Sequence, residues 1–595
     1  MKKKLLLLDA DYTVIENKTT VRLYCKDSKG KSFLVLDQTF YPYFYVMPKK
    51  DKIGEVKKKI ETIDTKHLET KILKIIVTEK KLQLGDIKIL KVVIDNPRKI
   101  QEIRKIVKDW EDVEETYEYD IPLYKRYLID RQIEPMNWIE VDGEEMENKE
   151  NYKVSCIIKA NSVKPIKREK DVKLNVLAFD IEFIEENGKS KIIMLSLVSN
   201  KGKKIVLTSE HWENQPDYVE SIKSEKEIIE RFLEIVEEED PDFICTYNGD
   251  NFDFPKLKER ADELKIPIKL GRDNSTINLV RRGRVSSTKI KGRVHMDLFN
   301  FVDHILSANL KSEVLTLNEV AQELLGIGKK ELKYKEMVEI WSKKKEMERL
   351  AEYSLHDSVL TFKLSELILP QIFTLSRLTG LLAFDVCRNT YSQLVEAFYM
   401  RKAFIDNVII PNRPKTEEIE KRKMDRAYKG AIVIEPKKGI HSDILVFDFR
   451  SLYPTIIVTH NISPETLNCE HIECKEKNKV PETKWHFCIK NKGFIPKHLE
   501  ELIEKRKKIK EQIKKIEKNS KELKKLNNMQ HGLKILSNAV YGYFGFFGSR
   551  WYRRECGAAV AAFGRYYITQ VIEMAKREGF EVIYADTDSC FATIG

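Results

Sequence analysis

The stretch that most constrains this chain is Tyr584-Ala585-Asp586-Thr587-Asp588-Ser589, set between the apolar runs Phe580, Val582, Ile583 and Phe591, Ala592, Ile594. Strand, acidic tight turn, strand is the pattern. Two carboxylates brought together at a hairpin tip repel one another, and desolvating like charges is costly enough that a hard cation is the usual counterpart, with Mg²⁺ or Mn²⁺ the natural guest. An Asp-Thr-Asp surface turn would be the plainer account if the stretch stood alone. The chain ends seven residues after Asp588, with the second strand barely completed, so the expectation is that a downstream part is supplied elsewhere.

At 595 residues the chain is too long for a single core, and three or four domains are expected. A hydrophobic content of 42% is that of a globular protein, and the net charge of +12 favours polyanionic partners. Met1-Lys2-Lys3-Lys4 before Leu5–Leu8 imitates a leader, but Asp9 and Asp11 end the apolar run too soon. No uninterrupted apolar stretch reaches membrane-spanning length, and no membrane partner is expected. Nine scattered cysteines without a C-x-x-C pair argue against a zinc ribbon or a secreted disulfide scaffold. A cytoplasmic protein is expected.

A second group of acids lies upstream. Leu177-Ala178-Phe179-Asp180-Ile181-Glu182 alternates so that Asp180 and Glu182 share one face at the end of a buried strand. Phe243-Ile244-Cys245-Thr246 runs into Tyr247-Asn248-Gly249-Asp250-Asn251-Phe252-Asp253, a turn opening a helix. In Tyr353-Ser354-Leu355-His356-Asp357 the i, i+4 spacing puts Tyr353 and Asp357 on one side of a helix. Each alone is a cap or a surface acid. Together, an Asp-x-Glu pair with two further Asp can hold two metal ions and orient a water for phosphodiester hydrolysis.

These three stretches resemble the proofreading 3′–5′ exonuclease motifs of the archaeal family B DNA polymerases. The resemblance implies a ribonuclease H-like domain in which Asp180, Glu182, Asp253 and Asp357 hold the metals, Tyr353 positions the attacking water, and Asn248 contacts the frayed strand. His356 is read as a helix-surface residue.

Asp448-Phe449-Arg450-Ser451-Leu452-Tyr453-Pro454-Thr455 is similar to the family's first palm motif, with Thr455 where Ser is commoner. By that likeness Asp448 and Asp588 share two Mg²⁺ ions, Asp586 contributes less directly, and Tyr453 lies under the sugar and excludes a 2′-hydroxyl. Tyr453 also reads as ordinary core. Ser451 and Leu452 complete the nucleotide contacts. A lysine-rich helical hairpin follows, with the apolar stripe Leu499, Leu502, Ile503, Ile509, Ile513, Ile516 and a break at Asn519-Ser520. Its returning arm, Lys534-Ile535-Leu536-Ser537-Asn538-Ala539-Val540-Tyr541-Gly542, resembles the family's fingers motif. Arg506, Lys510 and Lys534 are thereby implied as triphosphate ligands, with Asn538 and Tyr541 facing the nascent base pair. Tyr428-Lys429-Gly430-Ala431 resembles the element between the two activities, implying DNA contacts from Tyr428 and Gly430, with Ala431 replacing a glycine. The aromatic cluster from Tyr543 to Tyr552 reads as core packing.

Near the N-terminus, Tyr12, Pro42-Tyr43 and Pro97 with Ile100 resemble the pocket by which archaeal relatives stall on template uracil, and read equally as a β-rich core. Cys474 and Cys488 fall where some thermophilic relatives bridge two cysteines, whereas Arg553 stands where a partner for Cys556 would be expected.

The expected organisation is multidomain α/β. A mixed α/β N-terminal domain (1–135), a connection (136–172), the exonuclease domain (173–368) and a helical connection (369–411) precede the first part of the palm (412–496), fingers (497–542) and an incomplete second part of the palm (543–595). No thumb is expected in this chain. The implied enzyme is one chain of a split polymerase acting on primer-template DNA and dNTPs, with a second polypeptide carrying the thumb and the rest of the palm and reaching a sliding clamp. A stand-alone exonuclease with a vestigial polymerase half, and a non-catalytic DNA- or uracil-sensing module, are the competing expectations. Losses at Asp448 or Asp588 would favour the former, and neither residue is lost.

Overall fold

The computed structural model describes residues 1–594 except 16–17, 169, 187, 283–284, 329–331, 426 and 518–519, so Asn519 of the expected hairpin break lies outside the described residues. The chain divides into two compact units, Met1–Tyr41 with Pro122–Thr390, and Pro42–Ile121 with Tyr391–Gly595.

In the first unit, five strands close a barrel in the order Lys2–Ile15, Lys18–Lys26, Ser32–Asp37, Cys156–Pro165, Trp138–Met146. Leu5 to Leu8, the leader-like run, are strand core, at most 7% exposed. The polar segment 136–172, expected as a connection, supplies two of the barrel strands. Its charges hid them: Glu144, Glu145 and Lys159 face solvent while Ile139, Val141, Ile158 and Val163 fill the interior.

The barrel is followed by a six-stranded sheet ordered Val219–Ser221, Lys204–Thr208, Lys189–Ser199, Val176–Glu186, Phe243–Thr246, Val294–Asp297. The central strand Val176–Glu186 is antiparallel to one neighbour and parallel to the other. Its buried residues Leu177 and Phe179 pack under the helix Glu225–Glu239, whose first turn is capped by the Ser224 side chain accepting from Glu227 N. The opposite face carries the 33-residue helix Met347–Thr379, ended by Gly380 at φ 76°. By length and composition alone this helix passes for a membrane span. Here it is a core helix, with Leu350, Leu360, Leu364, Ile368 and Ile372 fully buried.

In the second unit, the strands Ile72–Leu82, Gly85–Ile94, Tyr43–Pro48 and Val113–Tyr117 form a sheet backed by the helices Ile53–Glu61 and Ile100–Lys108. A second sheet is ordered Val433–Ile434, Phe580–Asp586, Ser589–Ile594, Ile444–Asp448. The helix Arg554–Arg577 packs on it through Ile568, Ile572 and Ala575. Two long helices, Phe494–Ile513 and Lys521–Gly545, make the hairpin, the second capped by Ser520 accepting from Leu523 N. The hairpin extends a few residues beyond the expected 497–542 at both ends, a difference of terminal turns.

Candidate active sites

The register of the central strand sets the first site. Asp180 pairs opposite Ser196, and a bulge between Glu182 and Phe183 interrupts the ladder directly beside the acids before pairing resumes at Phe183 and Ile192. The helix bearing Asp357 is pinned to the same sheet, because the Ser196 and Ser358 hydroxyls lie 2.7 Å apart and Ser196 Oγ also donates to Ser354 O at 2.7 Å. Ser354 and Ser358 therefore face the strand. Tyr353 and Asp357, one position before each, turn toward its acidic end.

Among the described residues, Asp180, Glu182 and Asp357 offer carboxylate oxygens that all lie within 4.8 Å of one another. They line a cavity of about 460 Å³ with Tyr247, Asn248, Phe252, Asp253, Phe299 and Thr316 among its other walls. Burial, with repulsion from Asp357, Glu182 and Asp180, pushes the Tyr353 hydroxyl well above its ordinary value, so it stays protonated and able to donate. Asp253 lines the cavity but is not one of the three converging acids. Its Oδ1 accepts from Ile181 N at 3.2 Å, and burial, with the Asp297 and Asp357 charges, pushes it up to about 7.

Asn248 stands at the cavity wall with φ 68°, its N–H donating to Asp297 Oδ1 at 2.7 Å. The neighbouring Gly249 is obligatory: a Cβ there would meet Thr246 Oγ1 at 2.2 Å. Asp250, three residues from Asp253, does different work. Burial alone would raise its pKa, but Arg388 and His295 hold it below the usual carboxylate range, and Arg388 Nε donates to it at 2.7 Å. Phe252, 55% exposed, presents its ring at the cavity's edge, a feature that sequence reading passed over although an aromatic inside an Asn/Asp turn was the available signal. His356 is not one of the converging residues.

The second site lies on the hairpin tip. Asp448 ends its strand opposite Ser589, and Phe449 N donates to Asp588 O at 2.9 Å, locking the two acidic strand ends side by side. Partial burial and then the Asp448 charge raise Asp588 above the ordinary carboxylate value. The turn is made by Thr587 at φ 52°. Asp586 is already engaged through both oxygens, accepting from Tyr584 Oη at 3.1 Å and Thr587 Oγ1 at 2.8 Å. Such a set of hard oxygen donors in mutual repulsion suits Mg²⁺ or Mn²⁺.

Beside these acids, the Tyr453 and Tyr541 rings pack 4.3 Å apart, and the Tyr428 and Tyr541 hydroxyls share a hydrogen bond. Leu452 is 6% exposed at the start of the same short helix as Tyr453, after Ser451 in the left-handed region at φ 56°. Arg565, absent from the sequence-based candidates, donates to the Lys429 and Gly430 carbonyls at 2.7 Å each and so fixes the loop that presents Tyr428. Glycines leave room for the tyrosines. A Cβ at Gly564 would lie 3.0 Å from Tyr453 Cε1. Gly564→Ala is accordingly expected to destabilise the fold by about 1 kcal/mol in thermal unfolding, because the Tyr453 ring must give way to the added methyl.

On the hairpin, Arg506 is half-buried and its pKa is lowered by burial and by Arg450. His531 is lowered too, by burial and then by Lys534 and Arg506. Arg450, Arg506 and Lys534 thus form a cationic surface whose field keeps His531 neutral and favours a polyanion. Lys510 and Asn538 are exposed on the two helices. Of the N-terminal candidates, Tyr12 belongs to the barrel, whereas Pro42 and Tyr43 are buried in the other unit, where Ile100 is part of the core and Pro97 starts the turn before it.

Two long stretches of the chain match one family. DNA polymerase family B matches residues 383–595, and the DNA polymerase family B exonuclease domain matches residues 114–320. The chain belongs to DNA polymerase family B and carries its exonuclease domain. It is 38% identical to DNA polymerase 1 of Pyrococcus abyssi over 99% of this chain and 71% of that protein. It is 36% identical to the DNA polymerase of Thermococcus gorgonarius, with the same coverage. The solved family B DNA polymerase from the hyperthermophilic archaeon Pyrobaculum calidifontis is similar with a TM-score of 0.84 at 32% identity, over 99% of this chain and 74% of that one.

Proposed function

We propose that this chain adds deoxynucleotides to a primer 3′ end opposite a DNA template and, at its other site, removes mispaired 3′ nucleotides, as a cytoplasmic replication enzyme. The observation that carries the reading is the pairing of strand Ile444–Asp448 against Ser589–Ile594, which sets Asp448 beside Asp588 close enough to repel. Two bound Mg²⁺ ions, held by Asp448 and Asp588, would supply the activation of the primer hydroxyl and the charge neutralisation that phosphoryl transfer needs. Arg506, Lys534 and Lys510 bind the triphosphate. Tyr453 supports the sugar, Tyr541 and Asn538 face the new base pair, and Tyr428 and Gly430 hold the DNA. In the exonuclease site, Asp180, Glu182 and Asp357 with Asp253 hold the corresponding metals, Tyr353 orients the attacking water, and Asn248 holds the frayed strand.

The proposal extends to a second polypeptide bearing the thumb and the rest of the palm, through which a sliding clamp would also be reached. Its support is the edge strand Ile444–Asp448, whose apolar residues Ile444, Leu445, Val446 and Phe447 are each 40–55% exposed. Primer extension with dNTPs and Mg²⁺, by this chain alone and with a candidate C-terminal polypeptide, tests both parts. Synthesis only in the mixture supports them. Degradation of the 3′ end without synthesis under any condition overturns the polymerase reading. A uracil placed in the template adds a third arm: a stall lost in a Tyr43→Ala variant supports the reading of Tyr12, Pro42, Tyr43, Pro97 and Ile100 as a uracil pocket, a reading supported so far by their sequence pattern alone.

A further inference from the structure

Between the short helix that carries Tyr453 and the first helix of the hairpin lies a segment, roughly 463–493, with very little regular structure. Its helical content is one turn at Pro464–Thr466 and the six-residue helix Ile472–Lys477, and its β-structure is two isolated bridges, Leu467 with Phe487 and Lys479 with His486. Its fully buried apolar side chains are few: Cys474, Val480, Phe487 and Cys488. Segments with so small a core are normally held by a cross-link.

A set of converging donor atoms offers one. Cys469, His471, Cys474 and Cys488 each present one ligand atom, and all four atoms lie within 4.8 Å of one another. His471 Nδ1 is 3.4 Å from Cys488 Sγ. In a tetrahedral zinc site with Zn–S near 2.3 Å, neighbouring donor atoms are about 3.5–3.8 Å apart, so the group needs only a small contraction. Two backbone amides point at the sulfurs, Ile489 N to Cys474 Sγ and Asn491 N to Cys488 Sγ, each at 3.4 Å, the interaction that stabilises a metal-bound thiolate. The ligand loop is itself pinned: His486 Nε2 lies 2.8 Å from Cys469 O, Asn468 N donates to His486 O at 2.8 Å, and Cys488 N donates to Thr466 O at 2.9 Å.

We propose that Cys469, His471, Cys474 and Cys488 form a structural zinc site, three thiolates and one neutral imidazole, the three thiol protons passing to solvent on binding. Soft sulfur with imidazole selects zinc over the Mg²⁺ of the catalytic acids. All nine cysteines are free in the structure, and a bridge between Cys474 and Cys488 would leave the convergence of Cys469 and His471 without a purpose. The sequence argument against a zinc ribbon rested on the lack of a C-x-x-C pair. The actual spacing is C-x-H-x-x-C with the fourth ligand far downstream.

The position of the site gives it a consequence for the polymerase. Asn461 Nδ2 donates to the Cys488 and Asn491 carbonyls at 2.7 and 2.8 Å, while Asn461 Oδ1 accepts from Gly493 N at 2.8 Å, at the N-terminus of the helix bearing Arg506. On the other side, Asn478 Nδ2 donates to His460 O at 2.9 Å, at the end of the Tyr453 helix. The metal therefore fixes the base of the hairpin relative to the palm helix.

The test is metal content. Chain purified without chelator and exposed to zinc, then gel-filtered, should hold about one zinc per chain by mass spectrometry. Cobalt in its place should give the ligand-field and thiolate charge-transfer bands of a tetrahedral sulfur-rich site. Cys469→Ala and His471→Ala should each lower zinc content at least tenfold, and His471→Cys should retain it, a rescue that a merely misfolded variant would not show. Chelation should lower the unfolding temperature of the wild type and leave that of Cys469→Ala unmoved. A wild-type chain that takes up no zinc or cobalt, or whose denatured form titrates two thiols fewer than nine through a Cys474–Cys488 bridge, overturns the proposal, as does full zinc content in both alanine variants.

Discussion

Asp588→Ala is expected to abolish primer extension, by about 10³-fold or more, while the same protein degrades a 3′ end at the wild-type rate. The magnitude follows from charge: stabilising phosphoryl-transfer charge through bound metal contributes several kcal/mol, and each 1.36 kcal/mol is tenfold in rate. Asp588 is one of two acids that meet across the strand pair, and no neighbouring acid stands in for it, since Asp586 is occupied by Tyr584 and Thr587. Asp586→Ala should therefore cost much less, about tenfold to hundredfold, the range of a residue that orients a ligand rather than supplying it. The fold should not suffer in Asp588→Ala. The Asp588 carboxylate is raised by burial and by Asp448, so its charged form is disfavoured in the folded chain and removing it relieves repulsion. The measurement is single-nucleotide incorporation under single-turnover conditions beside thermal unfolding, with the partner polypeptide present if synthesis requires it. Extension within tenfold of wild type would remove Asp588 from the site.

What the sequence made legible were groups whose chemistry forces a pattern. Asp180 and Glu182 had to share a face of one strand, Tyr353 and Asp357 one side of a helix, and Asp586 and Asp588 a tight turn, and period and spacing expose all three. What stayed hidden depends on partners far apart in the chain. Nothing near Asp357 announces that Ser358 binds Ser196 across 162 positions, yet that pair aims the helix. Arg565 reads as one more basic residue on a helix until its guanidinium is seen on the Lys429 and Gly430 carbonyls. Asp250 and Asp253 lie in one turn and look alike as letters. Only the buried Arg388 and His295 separate the structural acid from the one in the cavity. The barrel strands at 138–146 and 156–165 were masked because a sheet with one face in water tolerates charge at every second position. The Cys and His ligands were masked by spacing, since Cys488 reaches the others only by way of the turn Val480–Thr483 and the bridge Lys479 to His486.

Asp180→Ala is expected to remove 3′ degradation, again by about 10³-fold, and to leave nucleotide addition intact, so that a mispaired primer should be retained and extended slowly rather than trimmed first. The asymmetry with Asp588→Ala is the useful result. Asp180 and Asp588 stand in different compact units, and each has its own set of acids, so loss at one site should not weaken the other. Within the exonuclease site the acids should not be equal. Asp180, Glu182 and Asp357 converge, whereas Asp253 stands outside that set with one oxygen already accepting from Ile181 N. Asp253→Asn should thus cost about tenfold to hundredfold, less than Asp180→Ala or Asp357→Ala. The comparison is made with a single-stranded oligonucleotide labelled at its 5′ end, in excess Mg²⁺, following loss of 3′ nucleotides in each variant and repeating the assay with Mn²⁺. If Asp253→Asn proves as damaging as Asp180→Ala, Asp253 moves onto the metal when it binds. If Asp180→Ala retains full activity, the cavity bounded by Asp180 and Asp357 is not where the phosphodiester is cut.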